Sequence, residues 1–182
     1  MRIVTVFGSS TSSEGDDEYE AARWLGAELG RTGWGVATGG YGGTMEAVSA
    51  GAASEGAAVV GVTLPLLFPE RAGPNRFVGK EIQAATLGER IQRLLDLGDH
   101  WVALPGSIGT AAELVFAWNQ AYIAARSANR IRQSIPFGPI AVGAGWKALA
   151  TVLAAHAGAD LRLIACVESV QEVPAQINPV ST

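Results

Sequence analysis

The chain has 182 residues, of which 48% are hydrophobic and 16% charged, and a formal net charge of -4. That is ample apolar content for one ordinary core, so a single domain is expected. The acidic balance excludes the basic stripe of a general nucleic-acid binder. One cysteine, Cys166, and two well-separated histidines, His100 and His156, offer neither an internal disulfide nor metal-ligand spacing. A reducing, cytoplasmic setting is therefore expected, without a metal or a cofactor. No apolar run approaches a membrane span, and the first eight residues read as a strand rather than a signal-peptide core.

In chain order, residues 2–7 read as a strand ending at Gly8, followed by the polar stretch Ser9-Ser-Thr-Ser-Ser13. A helix is predicted from Asp16 or Asp17, with Tyr19, Ala22, Leu25 and Leu29 on its apolar face and Gly30 and Gly33 as stops. A strand over 34–37 leads into Thr38-Gly-Gly-Tyr-Gly-Gly-Thr44, then a helix over 45–55 and a strand over 58–62. Residues 64–77, punctuated by Pro65, Pro69 and Pro74 with Arg71 and Arg76 between, read as a loop, and 78–83 as a short extended piece. Thr86 with Glu89 predicts a capped helix to about Leu97, closed by Gly98, before a strand over 101–104.

A turn, Pro105-Gly-Ser-Ile-Gly109, then opens a helix over 110–125 that Thr110 can cap. Arg126, Arg130 and Arg132 fall in a polar stretch that extends this helix or forms a loop. A strand over 140–142, a helix over 146–156, a strand over 161–167 and a helix near 169–176 complete the pattern. Strand and helix alternate throughout, and several strands are continuously apolar. That is the pattern of a doubly wound α/β domain, a parallel sheet with helices on both faces and its ligand crevice at the carboxyl ends of the strands.

Three glycine-containing turns follow strands: Gly8-Ser9-Ser10; Gly39, Gly40, Gly42 and Gly43 with Thr44 and Met45; and Pro105, Gly106, Ser107, Ile108, Gly109 and Thr110. In such a sheet all three lie on one edge. Free backbone N–H groups and positive helix ends there suit a phosphate. None of the three matches the dinucleotide fingerprint or the lysine-bearing Walker pattern, so a mononucleotide or sugar phosphate is expected. Glu113 completes a Thr110-x-x-Glu113 capping box or, alternatively, serves the chemistry of this crevice. Arg90 falls on the shoulder of the face made by Leu87, Ile91, Leu94 and Leu95, where it reaches into the crevice or covers apolar neighbours with its stem.

Pro105-Gly-Ser-Ile-Gly-Thr-Ala-Ala-Glu113, with Glu89-Arg90 ahead of it, resembles the P-G-G-x-G-T-x-x-E and E-R-K motifs of the LONELY GUY-type phosphoribohydrolases, long labelled lysine decarboxylases. Val6-Phe-Gly-Ser-Ser10, Gly39-Gly-Tyr-Gly-Gly-Thr-Met45 and Gly61-Val-Thr-Leu-Pro65 are similar to that family's opening turn, second glycine loop and following strand. The likeness covers about residues 2–120 well. It implies a Rossmann-like fold, a homodimer, phosphate held by the second glycine-rich motif, and Glu113 with Arg90 as the catalytic pair. The implied reaction is hydrolysis of the N-glycosidic bond of a purine or cytokinin nucleoside 5'-monophosphate to free base and ribose 5-phosphate. Ile91, Ser107 and Glu46 depart from the pattern, standing where the family has lysine, glycine and glycine. Those departures resemble a broader branch of nucleotide-binding proteins and molybdenum-cofactor carriers, so a non-catalytic carrier of a nucleotide or phosphorylated cofactor is the alternative. Glu46 contacts a base or ribose, or simply favours the early turn of its helix. With Lys80 and Lys147 the only lysines and neither well placed for an aldimine, a decarboxylase is set aside.

Overall fold

A computed structural model describes residues 1–71, 73–126 and 138–177. The apolar runs form seven parallel strands: β1 (Ile3–Phe7), β2 (Gly35–Thr38), β3 (Val59–Thr63), β4 (Lys80–Gln83), β5 (His100–Ala103), β6 (Ile140–Val142) and β7 (Ala165–Val167). They make one sheet in the order β4-β3-β2-β1-β5-β6-β7. β1, β2, β3 and β5 are buried at every position, as strands covered on both faces must be. The doubly wound α/β expectation is borne out.

The helices are α1 (Asp17–Arg31), α2 (Thr44–Ser54), α3 (Leu87–Leu97), α4 (Ile108–Arg126), α5 (Ala144–Ala157) and the short α6 (Val173–Gln176). Side-chain alternation along β1 divides them into two layers. Val4 and Val6 join a core with Leu25 and Leu29 of α1, Val48 of α2 and Val173 of α6. Ile3 and Phe7 join the opposite core, with Ile91 and Leu94 of α3 and Leu114 of α4. Trp146 of α5 belongs to that second layer and donates from Nε1 to Leu104 O at 2.9 Å.

From β1 the chain winds outward through β2, β3 and β4, then returns to pair β5 with β1 on the other side. The sheet reverses its direction of growth between β1 and β5. Their carboxyl ends open the crevice that such a reversal creates.

Several boundaries differ from the sequence reading. Gly30 does not end α1, which continues to Arg31; Thr32 closes it, donating from Oγ1 to Glu28 O at 2.9 Å. The 78–83 piece is a true edge strand, its backbone pairing Val60 with Lys80 through Thr63 with Gln83. Residues 161–163 form a 3-10 turn and only Ala165–Val167 is strand, because Asp160 caps that turn through Arg162 N at 3.0 Å. The basic stretch with Arg130 and Arg132 lies outside the described residues. Among the described residues no helix is long and apolar enough to cross a membrane, and no group of three metal-ligating side chains occurs.

Candidate active site

All three glycine turns lie at the carboxyl edge of the sheet, following β1, β2 and β5. The first two are tied to each other. Thr44 donates to Ser9 O from both its backbone N, at 2.9 Å, and its hydroxyl, at 3.1 Å. Ser9 Oγ meets Thr11 Oγ1 at 2.8 Å, which leaves Ser10 at the crevice side of the turn. Gly43, the residue before α2, has φ 73°, a left-handed conformation that a side chain would strain. Gly39 is needed for a different reason: a Cβ there would overlap the Arg90 guanidinium and Met45 Sδ.

At the third turn, the expected cap is one turn too late. α4 begins at Ile108, and Ser107 Oγ accepts from Gly109 N at 3.3 Å, the contact of an N-cap residue. Thr110 lies inside the helix. Its buried hydroxyl has no hydrogen-bond partner among the described residues and sits against Gly106. The Thr110–Glu113 capping box does not form, so the bland reading of Glu113 is removed. Serine, which replaces the family's glycine here, supplied that signal in the sequence: a hydroxyl two residues before a glycine, just ahead of an apolar run.

Glu113 instead turns to Arg90. Arg90 Nη1 donates to Glu113 Oε1 at 3.3 Å, Nε to Val62 O at 2.8 Å, and Nη2 to Gly39 O at 3.1 Å. Each residue is only 8% exposed, so the surface reading of Arg90 is also overturned. The helix shoulder turns inward because the ends of β2 and β3 offer two carbonyls that a planar guanidinium can satisfy. Glu89 and Arg93, by contrast, pair with each other at the surface. Burial pushes the Glu113 carboxyl up to about 7, with the Arg90 charge pulling the other way. A carboxyl poised near neutrality beside a fixed cation can hold or release a proton at working pH.

A cleft of about 600 Å³ is lined by Ser10, Tyr41, Glu46, Arg71, Asn75 and Arg76 among others, and the Tyr41 ring centre in its lining is 5.8 Å from Arg90 Cζ. One wall is the loop over 64–77, which the sequence left without a task. Asn75 fastens it to the second glycine turn, donating from Nδ2 to Gly40 O at 3.2 Å and Tyr41 O at 3.0 Å. Asn75 Oδ1 accepts from Phe77 N at 3.1 Å, an Asx turn that the Pro74-Asn75 pair could have announced. Tyr41 accepts from Leu64 N at 2.7 Å. Arg71 places its guanidinium carbon 4.5 Å from the Tyr41 ring centre and 4.4 Å from that of Phe68. Of the three glycine turns only Ser10, Tyr41 and Gly42 line this cleft; Arg90, Glu113, Gly8, Met45 and the Pro105–Thr110 turn do not. Ile108 is exposed.

A profile of the SLOG cluster4 family matches residues 1–130. The chain belongs to the SLOG cluster4 family. The likeness to LONELY GUY-type proteins read from the motifs is thereby borne out, and curated relatives agree. The cytokinin riboside 5'-monophosphate phosphoribohydrolases of Mycobacterium marinum and Mycobacterium tuberculosis are 31% and 33% identical over 105 residues. The match covers 57% of this chain and 56% of either relative, so the chain spans about half the length of the curated relatives it matches. Among solved structures, the structural-genomics target TM1055 is 25% identical with a TM-score of 0.72, covering 99% of this chain and 100% of that one. A molybdenum cofactor binding protein from Rippkaea orientalis, 18% identical, superposes with a TM-score of 0.74 over 100% of this chain and 98% of its own. The molybdenum cofactor carrier protein of Chlamydomonas reinhardtii, 22% identical, does so at 0.68 over 96% and 94%. At those identities the last two show the shared fold alone.

Proposed function

We propose that this protein hydrolyses the N-glycosidic bond of a purine nucleoside 5'-monophosphate, releasing the free base and ribose 5-phosphate. The observation that carries the reading is the buried Arg90–Glu113 pair at the strand ends, its carboxyl released from any capping task and raised towards neutrality. Mycobacterial relatives named for this reaction match the chain over 105 residues, which supports the reading.

The α4 turn receives the phosphate. Its backbone N–H groups, the positive end of a long helix and the unpartnered Thr110 hydroxyl are the donors. Phosphate anchored there lays the ribose along α4 towards Glu113. As the bond from C1' to the base nitrogen breaks, its electron pair leaves with the base and positive charge grows on the ribose. The Glu113 carboxylate stabilises that charge and accepts a proton from the attacking water, whose oxygen bonds to C1'. The proton taken from the water by Glu113 passes to the departing base nitrogen, by way of solvent, so the base leaves neutral and the carboxylate is restored. Arg90 acts by positioning: its bonds to Val62 O, Gly39 O and Glu113 hold the carboxylate in place. The chain acts as a single domain and, as in the resemblance, as a homodimer. Val115, Phe116 and Ile123 of α4 are exposed apolar residues suited to that contact, whereas Trp118 is buried and donates to Asp160 O at 3.0 Å.

A second reading, non-catalytic carriage of a nucleotide or phosphorylated cofactor such as molybdenum cofactor, is favoured by Glu46. It puts a carboxylate into the cleft where the phosphoribohydrolase motif has glycine. Chromatography of a panel of nucleoside 5'-monophosphates incubated with the protein separates the two. Release of base and ribose 5-phosphate that is abolished in Glu113→Gln establishes the hydrolase. Binding without release, unchanged in that variant, establishes the carrier.

A further inference from the structure

The charged side chains of the cleft define what the far end of the ligand must look like. If phosphate lies on the α4 turn and the scissile bond at Glu113, as proposed above, the base lies beyond Arg90. Arg90 Cζ is 5.8 Å from the Tyr41 ring centre, and Tyr41 is the inner wall of the 600 Å³ cleft. The base therefore enters the cleft that Glu46, Arg71 and Arg76 line.

These three side chains do not neutralise one another. Among the described residues Glu46 and Arg76 form no ion pair with each other or with any other group. Arg71 has only Glu70, at 3.7 Å. Glu46 stands on the first turn of α2 with Oε2 4.0 Å from where a Gly42 Cβ would lie, so it overhangs the turn at the cleft. Arg71 is stacked against Tyr41 and Phe68, which fixes the plane of its guanidinium while leaving its N–H edges free. Asn75 adds little to recognition, since its side-chain groups are already spent on Gly40, Tyr41 and Phe77. The cleft lining thus includes one acceptor group and two donor groups.

We infer that Glu46, together with Arg71 and Arg76 in the same cleft, selects a ring carrying the 2-amino-4-oxopyrimidine edge: guanine, or a pterin. A carboxylate accepts two N–H bonds side by side, and this edge presents two, the ring N–H and the exocyclic amine. The neighbouring oxo group and ring nitrogen are both acceptors, the pair that arginine reads in guanine. Adenine fits neither kind of group. Its N1 turns a lone pair towards the carboxylate, and its N6 amine turns hydrogens towards the arginines. An adenine with an apolar N6 substituent would in addition set that group among charges.

The test is calorimetric binding of guanosine 5'-monophosphate, adenosine 5'-monophosphate, neopterin and ribose 5-phosphate to the parent and to Glu46→Gln. The expected result is at least tenfold tighter binding of the guanine nucleotide, of neopterin or of both than of the adenine nucleotide. In Glu46→Gln a single amide oxygen replaces the two acceptors that guanine's N–H pair uses, so the preference for guanine falls several-fold. Ribose 5-phosphate, lacking a base, binds parent and variant alike, which also shows that the variant is folded. Guanine alone binding tightly identifies a nucleotide site, and neopterin alone a pterin site. Equal or tighter binding of the adenine nucleotide by the parent, or a preference undiminished in Glu46→Gln, overturns the inference. Base release is scored separately: no release with an intact guanine or pterin preference sinks the hydrolase and leaves the specificity standing. No binding of any of the four overturns both.

Discussion

Arg90 Nη1 stands 3.3 Å from Glu113 Oε1, joining the first turn of α3 to the second turn of α4 beneath the carboxyl ends of β2 and β3. Neither residue is held by its own helix. The guanidinium is fixed by two strand-end carbonyls, and the carboxylate is fixed by the guanidinium. Position is passed from the sheet to Arg90 and from Arg90 to Glu113.

Glu113 makes stability depend on pH in a defined direction. Its folded value of about 7 lies above its ordinary 4.5, so the folded state binds a proton that the unfolded chain has already lost. The associated stability is fully present below about pH 4.5 and is lost as pH rises through about 7, a swing on the order of 3 kcal/mol. Urea unfolding at pH 5 and pH 8 measures it. Glu113→Gln should remove most of the difference, gaining relative to the parent at pH 8, while catalysis by the parent should show an acid limb near pH 7. A parent and variant with parallel pH profiles would mean that Glu113 is ionised throughout.

Removing the arginine should be costly because it strands what it satisfies. Arg90→Ala leaves Val62 O and Gly39 O without their donor and a carboxylate buried without its cation, a loss of about 3–5 kcal/mol at pH 8. At pH 5 Glu113 takes up a proton, and the loss should shrink. Arg90→Lys restores the charge but not the planar fork, so it should recover part of the stability and little of the turnover. An Arg90→Ala variant equally destabilised at both pH values would show that the carbonyls, not the charge, set the cost.

Asn75 is the clasp between the loop wall and the second glycine turn. Asn75→Ala deletes three side-chain hydrogen bonds, to Gly40 O, Tyr41 O and Phe77 N. At about 1 kcal/mol each, the expected destabilisation is about 2–3 kcal/mol. A clasp acts on the cleft and not on Glu113, so KM should rise several-fold with kcat nearly kept. A fall in kcat at constant KM would place Asn75's influence at the Arg90–Glu113 pair.

The sheet was legible because its strands are continuously apolar and glycine ends them; Val4 to Phe7 and Trp101 to Leu104 could hardly be anything else. The positions of Arg90 and Glu113 at one edge followed from the same alternation. Their bond did not. Whether Arg90 faces solvent or the carbonyls of Gly39 and Val62 depends on strand ends some 30 to 50 residues away in sequence, which helical periodicity does not contain. The cap was misjudged locally, since Ser107 and Thr110 are both good N-cap residues and only the turn geometry after Pro105 chooses between them. The loop over 64–77 reads as prolines and arginines without a pattern, and its place became visible only through Asn75 and the stacking of Arg71 on Tyr41 and Phe68.

That choice of cap leaves Thr110 with a hydroxyl that has no partner among the described residues. A buried hydroxyl without a partner costs about 1–3 kcal/mol, and the cost is tolerated here at the N-terminal turn of a helix, facing Gly106. Thr110→Val replaces it with a methyl group of nearly the same shape. The free protein should then be as stable as the parent or more stable by about 1 kcal/mol. If the hydroxyl is held for a phosphate, ribose 5-phosphate should bind about tenfold more weakly, the loss of one hydrogen bond to a charged group, while a nucleoside without phosphate should be unaffected. Melting curves and calorimetry on the same preparation read both effects. Stability rising while phosphate affinity falls is the signature of a group kept for a ligand; stability falling with affinity unchanged would make Thr110 an ordinary part of the fold.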